Sequence, residues 1–196
     1  MQPLVRTIPM FDMRPMLKRA GNRIDAHLTA MHAARRFILG QQVQCFEEEL
    51  ATSFGGGFAV GSGSGTGALE LCLREAGIVR AEQEVIVPAL TSLFTGQAVL
   101  AAGARLRIAD VDPATLLLTP ESLERAWTPA TAAVVCVHLY GHACRLDEIV
   151  AGNTGHDGVD QEKRGNHPRL DVCADEPGDK RHSCVSSTGS CGQRVL

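Results

Sequence analysis

Seven residues, Gly61-Ser62-Gly63-Ser64-Gly65-Thr66-Gly67, stand between the apolar triplet Phe58-Ala59-Val60 and a run in which Ala68, Leu69, Leu71, Cys72, Leu73 and Ala76 recur before Gly77. Such a join predicts strand, glycine turn and helix, and it commits the chain to a layered α/β arrangement. The cycle then repeats. Glu84-Val85-Ile86-Val87 predicts a short buried strand stopped by Pro88, followed by a helix from about Ser92 to Ala102 that Gly103 ends. Arg105 to Val111 predicts a third strand, Pro120 to Trp127 a helix capped by Thr119, and Ala132 to Leu139 a nearly continuous apolar strand. Strands and helices alternating at this length imply a parallel sheet covered on both faces. Upstream, Ile24, Leu28 and Met31, and then Val43 to Leu50, predict two helices separated by a turn at Gly40.

The pattern stops near Val150. Over the 196 residues 44% are apolar, yet residues 151–196 are only about 24% apolar and hold no Ile, Met, Phe, Trp or Tyr. Their Gly, Asp, Arg, Ser and His follow no period of 2 or 3.6, so they bury too little surface to offset their ordering entropy. The expected division is a domain over 1–150 and an unrelated tail over 151–196, disordered or non-native, with the abruptness of a frameshift or a truncated gene.

A net charge of -3 offers no broad basic field for a nucleic-acid backbone. No run of about 18 apolar residues occurs, and MQPLVRTIPMFDMRP lacks the apolar centre of a secretory signal, so the expected setting is cytoplasmic, with neither membrane nor nucleic acid as a partner. Seven Cys, an odd number without CxxC spacing, favour reduced thiols over a disulfide framework. Cys45, Cys72 and Cys136 fall on apolar faces and read as small core residues. Cys173, His182, Cys184 and Cys191 lack zinc-ligand spacing, so no metal is expected.

Where a strand ends in glycines and a helix begins, unpaired N–H groups and the positive end of the helix dipole suit a phosphate. The dipole contributes only about 0.3–1 kcal/mol, which leaves most of the affinity to amides and to the hydroxyls of Ser64 and Thr66. Gly63-x-Gly65-x-x-Ala68 loosely fits a dinucleotide fingerprint, but that ligand needs an acid at the end of the next strand, where Pro88-Ala89 stands. No GK[ST] follows the glycines, which excludes a P-loop. A phosphorylated cofactor such as pyridoxal phosphate remains.

Five stretches in order resemble the pyridoxal-phosphate-dependent sugar aminotransferases of the DegT/StrS type. They are IPMFDMRP, RRFILGQQVQCFEEELA, AVGSGSGTGALELCLRE, the segment EVIVPALTSLFTGQAVLAAGARLRIADVDP with LLLTPESLERAWTPATAAVV, and VHLYGHACRLDEIV. The resemblance covers about Ile8 to Val150. It implies an incomplete aspartate-aminotransferase-like large domain, the type I fold of pyridoxal phosphate enzymes, with a parallel-rich sheet. It further implies amino transfer from glutamate or glutamine to a nucleotide-linked keto-sugar or a cyclitol ketone, in a homodimer.

Residue by residue, the resemblance assigns Ser64, Gly65 and Thr66 to the cofactor phosphate, with Gly67 where the family often has Asp. Ser92 occupies the place of an aromatic that stacks on the cofactor ring; Phe94, two residues on, reads as a core residue. His138 closes the fourth strand, either facing cofactor or substrate or serving as a hydrogen-bonded strand-end histidine. Trp127 is expected to pack the end of its helix.

The family's later elements, an Asp for the pyridine nitrogen and a Ser-x-x-x-Lys-like segment whose Lys forms the Schiff base, have no match after Val150. Lys163 and Lys180 sit in charge-rich, aperiodic sequence that favours solvation. The expected product is therefore an inactive fragment with no assigned catalytic residue. A non-catalytic module that binds a phosphorylated ligand or pairs with a homologue is the alternative.

Overall fold

A computed structural model describes residue 9 and residues 12–53, 57–152 and 193–195. The chain divides into two compact units, Met1–Cys45 and Phe46–Leu196, and the division falls inside a helix.

In the first unit α1 spans Arg14–Ala34, with a proline in its first turn. Proline suits that place because its missing N–H would have no helical acceptor there. The Asp12 carboxylate accepts from the Arg14 side chain and N–H, and both bonds hold its carboxyl below the usual range. No residue of α1 is buried, and Ile24 and Leu28 are exposed. Arg35 and Leu39, at φ 50° and 47°, turn the chain toward α2, Gln41–Ser53. Both expected helices and the turn at Gly40 are present. Cys45, however, is exposed, since α2 has no buried face on which to hide it.

The second unit carries the sheet. Residues 58–60 do not form the expected strand: Phe58 and Val60 are exposed, and the segment pairs with no strand of the described sheet. Three apolar residues flanked by glycine gain nothing from extension unless a neighbour supplies ladder partners.

Helix α3, Gly65–Glu75, follows and buries Ala68, Leu69, Cys72 and Leu73, a spacing of one, three and four that keeps them on one stripe. Burying a side chain the size of Leu69 or Leu73 stabilises by about 1.5–3 kcal/mol. The helix ends where the Gly77 N–H donates to the Arg74 carbonyl and the Ile78 N–H to that of Leu73, with Gly77 at φ 73°.

Strand β1, Glu84–Pro88, is buried throughout and lies between β2, Arg105–Ala109, and β3, Thr131–Val137, parallel to both. Its Val85 and Val87 face one core with Leu69, Leu73, Val99, Val135 and Val137. Ile86 faces the other, with Leu123, Val134, Cys136 and Ile149. Burial on both faces is what a parallel sheet requires. The crossover helix α4, Leu93–Ala102, ends at Gly103, where φ is 99° and a Cβ would stand 2.9 Å from the Val79 carbonyl oxygen. Helix α5, Pro120–Ala126, opens with Thr119 and Ser122 each accepting from the other's N–H, a reciprocal cap.

Two strands are shorter than expected. The second sheds Asp110 and Val111, and β3 ends at Val137 before a single 3-10 turn over Leu139–Gly141. Trp127 caps α5 and packs against the second core, as expected. Cys72 and Cys136 are buried. Cys45, Cys136 and Cys144 carry reduced thiols, whereas Cys72 is disulfide-bonded; an odd count excludes a complete framework and leaves room for a single bridge. After β3 the chain continues into α6, Leu146–Gly152, and β4, Gln193–Val195, adds an antiparallel strand beside β3. Most of the expected tail, including Cys173, His182, Cys184, Cys191, Lys163 and Lys180, lies outside the described residues.

Candidate functional site

The start of α3 is built as a sequence reading expects. Ser64 is its N-cap in extended conformation, and its hydroxyl accepts from the Gly67 N–H at 3.1 Å. The Ala68 N–H donates to the Ser64 carbonyl, and the Ser62 hydroxyl does the same at 2.9 Å. The cap therefore satisfies Gly67, while the N–H groups of Gly65 and Thr66, in the first helical turn, have no helical acceptor. The Gly61 N–H is already taken by the Glu47 carboxylate of α2. A Cβ at Gly63 would meet nothing within 4 Å, so the turn is open on that side.

Helix α4 places Ser92 at the same edge. The Arg74 guanidinium, in the last turn of α3, donates to the Ala101 carbonyl in the last turn of α4 at 2.7 Å. Leu69, Cys72 and Leu73 share a core with Ala98, Val99 and Ala102. With their C-terminal turns joined and their flanks packed together, the two helices start at the opposite end. Because α4 is the crossover from β1 to β2, that end is the one at which β1 finishes, and parallel β3 finishes there too. Ser64, Gly65, Thr66, Ser92 and His138 thus belong to one edge of the sheet, where open α/β sheets bind ligands.

Ser92 caps α4, accepting from the Phe94 N–H at 3.4 Å. Phe94 corrects the sequence reading: it is 60% exposed, because the α4 residues that turn inward are Thr95, Gly96, Ala98, Val99 and Ala102. A side chain one residue before Thr95 is swung about 100° from that buried position.

His138, half-buried after β3, accepts the Cys144 N–H on Nδ1 at 2.9 Å. That bond leaves Nε2 as the ring atom able to meet a ligand. Beside it lies a residue that the sequence did not single out. Cys144 is buried and its thiol donates to the Val137 carbonyl at 3.4 Å. Its pKa is lowered to about 5, first by the hydrogen bond with Cys136 and then by that with His138, against burial. A pair of Cys residues eight apart about a strand-end His was the available signal.

Two carboxylates follow β2. Asp110 accepts from the Val111 N–H, and Asp112 accepts from the N–H groups of Ala114 and Thr115 and from the Thr115 hydroxyl, bonds that hold its carboxyl low, those of Thr115 most of all. Both acids are engaged by their own turn. The described lysine, Lys18, is on α1. Among the described residues no group of three metal-binding side chains occurs, and no helix is long and apolar enough to cross a membrane.

The profile of the DegT/DnrJ/EryC1/StrS aminotransferase family matches residues 18–157, a few residues past the composition break. The L-glutamine:2-deoxy-scyllo-inosose aminotransferase of Micromonospora echinospora is 40% identical over 138 residues, covering 67% of this chain and 33% of its own. The structure of S. venezuelae DesV in complex with a ketimine intermediate superposes with a TM-score of 0.69 at 33% identity, covering 76% of this chain and 40% of that one. The PLP form of a sugar aminotransferase from Streptococcus pneumoniae superposes at 0.59 and 28% identity, over 65% of this chain and 33% of that one. The chain spans about two fifths or less of the length of the curated relatives named first by similarity. With the match extending over most of its residues and the α/β layer shared with these structures, the chain belongs to the DegT/DnrJ/EryC1/StrS aminotransferase family.

Proposed function

We propose that this chain holds the phosphate of pyridoxal phosphate at Ser64, Gly65 and Thr66, as part of the machinery for amino transfer from glutamate or glutamine to a nucleotide-linked keto-sugar or cyclitol ketone. The observation that carries the reading is the start of α3, where a serine cap leaves two adjacent amides to an incoming anion beside an open Gly63. These residues fit a phosphate. The cofactor, when bound, supplies an electron sink for moving the amino group.

The residues of this chain bind and orient. The Gly65 and Thr66 amides and the Thr66 hydroxyl take phosphate oxygens, and the Ser64 hydroxyl keeps the first turn in shape. Ser92, at the start of α4, would face the ring. His138, held at Nδ1 by Cys144, presents Nε2 to ring or substrate. Residues 1–150 form the domain that does this, and 151–196 are a tail unrelated to it in sequence, although residues 193–195 pair with β3. The setting is cytoplasmic and the assembly a homodimer.

By itself the 196-residue chain binds without turnover. Lys163 and Lys180 stand outside any Ser-x-x-x-Lys-like segment, which supports this reading. A non-catalytic phosphate-binding or homologue-pairing module is the second reading, favoured by Phe37, Ile38 and Leu39, which are exposed side by side between α1 and α2.

Titration of the chain with pyridoxal phosphate, with and without inorganic phosphate, followed by borohydride reduction, tests the proposal. Saturable binding that phosphate competes away, with no stable reduced adduct, is the expected result. A stoichiometric adduct at one Lys would restore catalysis to the chain, and absence of any binding would remove the cradle.

A further inference from the structure

The thiols of Cys136 and Cys144 have no place in amino transfer, yet the fold brings them together. Cys136 is on the buried face of β3 in the second core. Beyond His138 the chain makes one turn over Leu139–Gly141, in which Tyr140 adopts φ 56° and Gly141 φ 83°, and then runs back. A non-glycine residue in the left-handed region is unfavourable, so contacts beyond the turn must hold the reversal in place. Cys144 makes those contacts. Its N–H donates to His138 Nδ1 at 2.9 Å, its thiol reaches the Val137 carbonyl at 3.4 Å, and its sulfur shares a hydrogen bond with Cys136.

Two thiols and an imidazole are thereby gathered at the end of one strand. Of the residues between, Tyr140, Gly141, His142 and Ala143 are exposed. That exposed loop runs directly up to Cys144, which is the less buried of the two.

We propose that Cys136 and Cys144 are a reactive thiol pair that a hydroperoxide converts to an intrachain disulfide. In the first step the Cys144 thiolate attacks the peroxide oxygen. An S–O bond forms, the O–O bond breaks, and the departing oxygen takes a proton to leave as water or an alcohol. In the second step the Cys136 sulfur attacks the Cys144 sulfur. The S–S bond forms, the S–O bond breaks, and the hydroxide takes the Cys136 proton and leaves as water. The two thiols lose two electrons to the peroxide and the products balance. Cys144, next to the exposed loop and with its pKa lowered, is the attacking group, and Cys136, its fully buried neighbour in the same core, is the resolving one.

The test uses the whole chain. Trypsin cuts after Arg125 and Arg145, so both cysteines fall in one peptide, 126–145, which has no internal Lys or Arg. The chain is treated with hydrogen peroxide, unfolded in the presence of an alkylating agent, digested without reduction and weighed. Peptide 126–145 should appear two hydrogens lighter and unalkylated, and reduction before alkylation should restore two alkylation sites. In Cys136→Ser the Cys144 sulfenic acid should persist and be trapped by dimedone. In Cys144→Ser the peptide should stay alkylated at Cys136 after the same peroxide dose. The proposal is overturned if the wild-type peptide remains doubly alkylated, if either cysteine is instead joined to a third, or if Cys136 oxidises equally well without Cys144. The variants exchange sulfur for oxygen with little change in size, and circular dichroism of each keeps loss of folding from passing as loss of reactivity.

Discussion

The Thr128 hydroxyl donates to Glu84 Oε2 at 2.6 Å across 44 residues of sequence, fastening the turn before β3 to the first residue of β1. Glu84 is 6% exposed, and Arg105 and Arg107 of β2 approach its two oxygens at 3.4 and 3.9 Å. The Glu84 N–H donates to the Ala130 carbonyl at 2.8 Å. One carboxylate therefore links the starts of β1 and β2 to the turn before β3, at the end of the sheet opposite the start of α3. Removing it takes the acceptor from the Thr128 hydroxyl and the ion pairs from Arg105 and Arg107, which keep the carbonyls of Ala81 and Ala126 as partners, so Glu84→Ala is expected to cost about 2–4 kcal/mol in urea unfolding. Thr128→Val should cost less, about 1–2 kcal/mol, because its hydroxyl gives up the bond to Glu84, the one it accepts from the Ala130 N–H and the one it shares with Thr131. Equal losses in the two variants would show that the carboxylate is not the hub.

At Gly103 both conformation and space exclude a side chain. Gly103→Ala would force φ 99° on alanine and set its Cβ 2.9 Å from a backbone oxygen of Val79, which has no flexible end to yield. A loss of about 2 kcal/mol is expected, more than the roughly 1 kcal/mol of an ordinary left-handed alanine. Gly63→Ala, in open space, serves as the contrast and should change stability by less than about 0.5 kcal/mol. Thermal unfolding of both variants checks the difference.

The proposed phosphate cradle makes a prediction that stability alone does not. Gly65→Val puts a branched side chain where an anion must approach and should weaken pyridoxal phosphate binding by about 1–3 kcal/mol, the worth of one or two charge-assisted hydrogen bonds. Thr66→Ser keeps the hydroxyl and should do little. Ser64→Ala should lower stability by about 1 kcal/mol through loss of the cap. If Gly65→Val binds as well as the unaltered chain, the turn is a connector.

Cys144 makes stability depend on pH in a stated direction. Its folded pKa, about 5, is below its ordinary value of 9.0, so the fold favours the ionised thiol. That contribution is complete above the ordinary value and is lost as pH falls toward about 5. Cys136, His138 and the Leu118 backbone are the groups that act on it. Cys144→Ser should therefore flatten the stability profile between pH 5 and 9, as read by urea midpoints along the pH series. A profile that keeps its slope in the variant would assign the dependence to another group.

Much of the sheet could be read from the chain because its signals are local. Gly77 and Gly103 terminate α3 and α4 at left-handed positions, Thr119 caps α5, and the unbroken apolar run of β3 matches a strand buried on both faces. Phe58-Ala59-Val60 misled because strand formation depends on a neighbour, and no local pattern supplies one. Phe94 misled because α4 is apolar nearly all round, which hides from periodicity which side turns inward. The serine-capped start of α3 was visible in its glycines, whereas the Cys136–Cys144 pair depends on a backbone reversal through Tyr140 that residue types do not announce.

The strand order β2-β1-β3 also sets a timetable. The central strand leaves the ribosome first, and at about 5–20 residues per second its far neighbour and the Thr128 hydroxyl arrive some seconds later. Until then Val85, Ile86 and Val87 lack one of the two flanking ladders that bury them in the finished sheet. Non-local pairing of this kind is slow to form, so the interval before Thr131 reaches Glu84 is when the nascent chain is most in need of a chaperone.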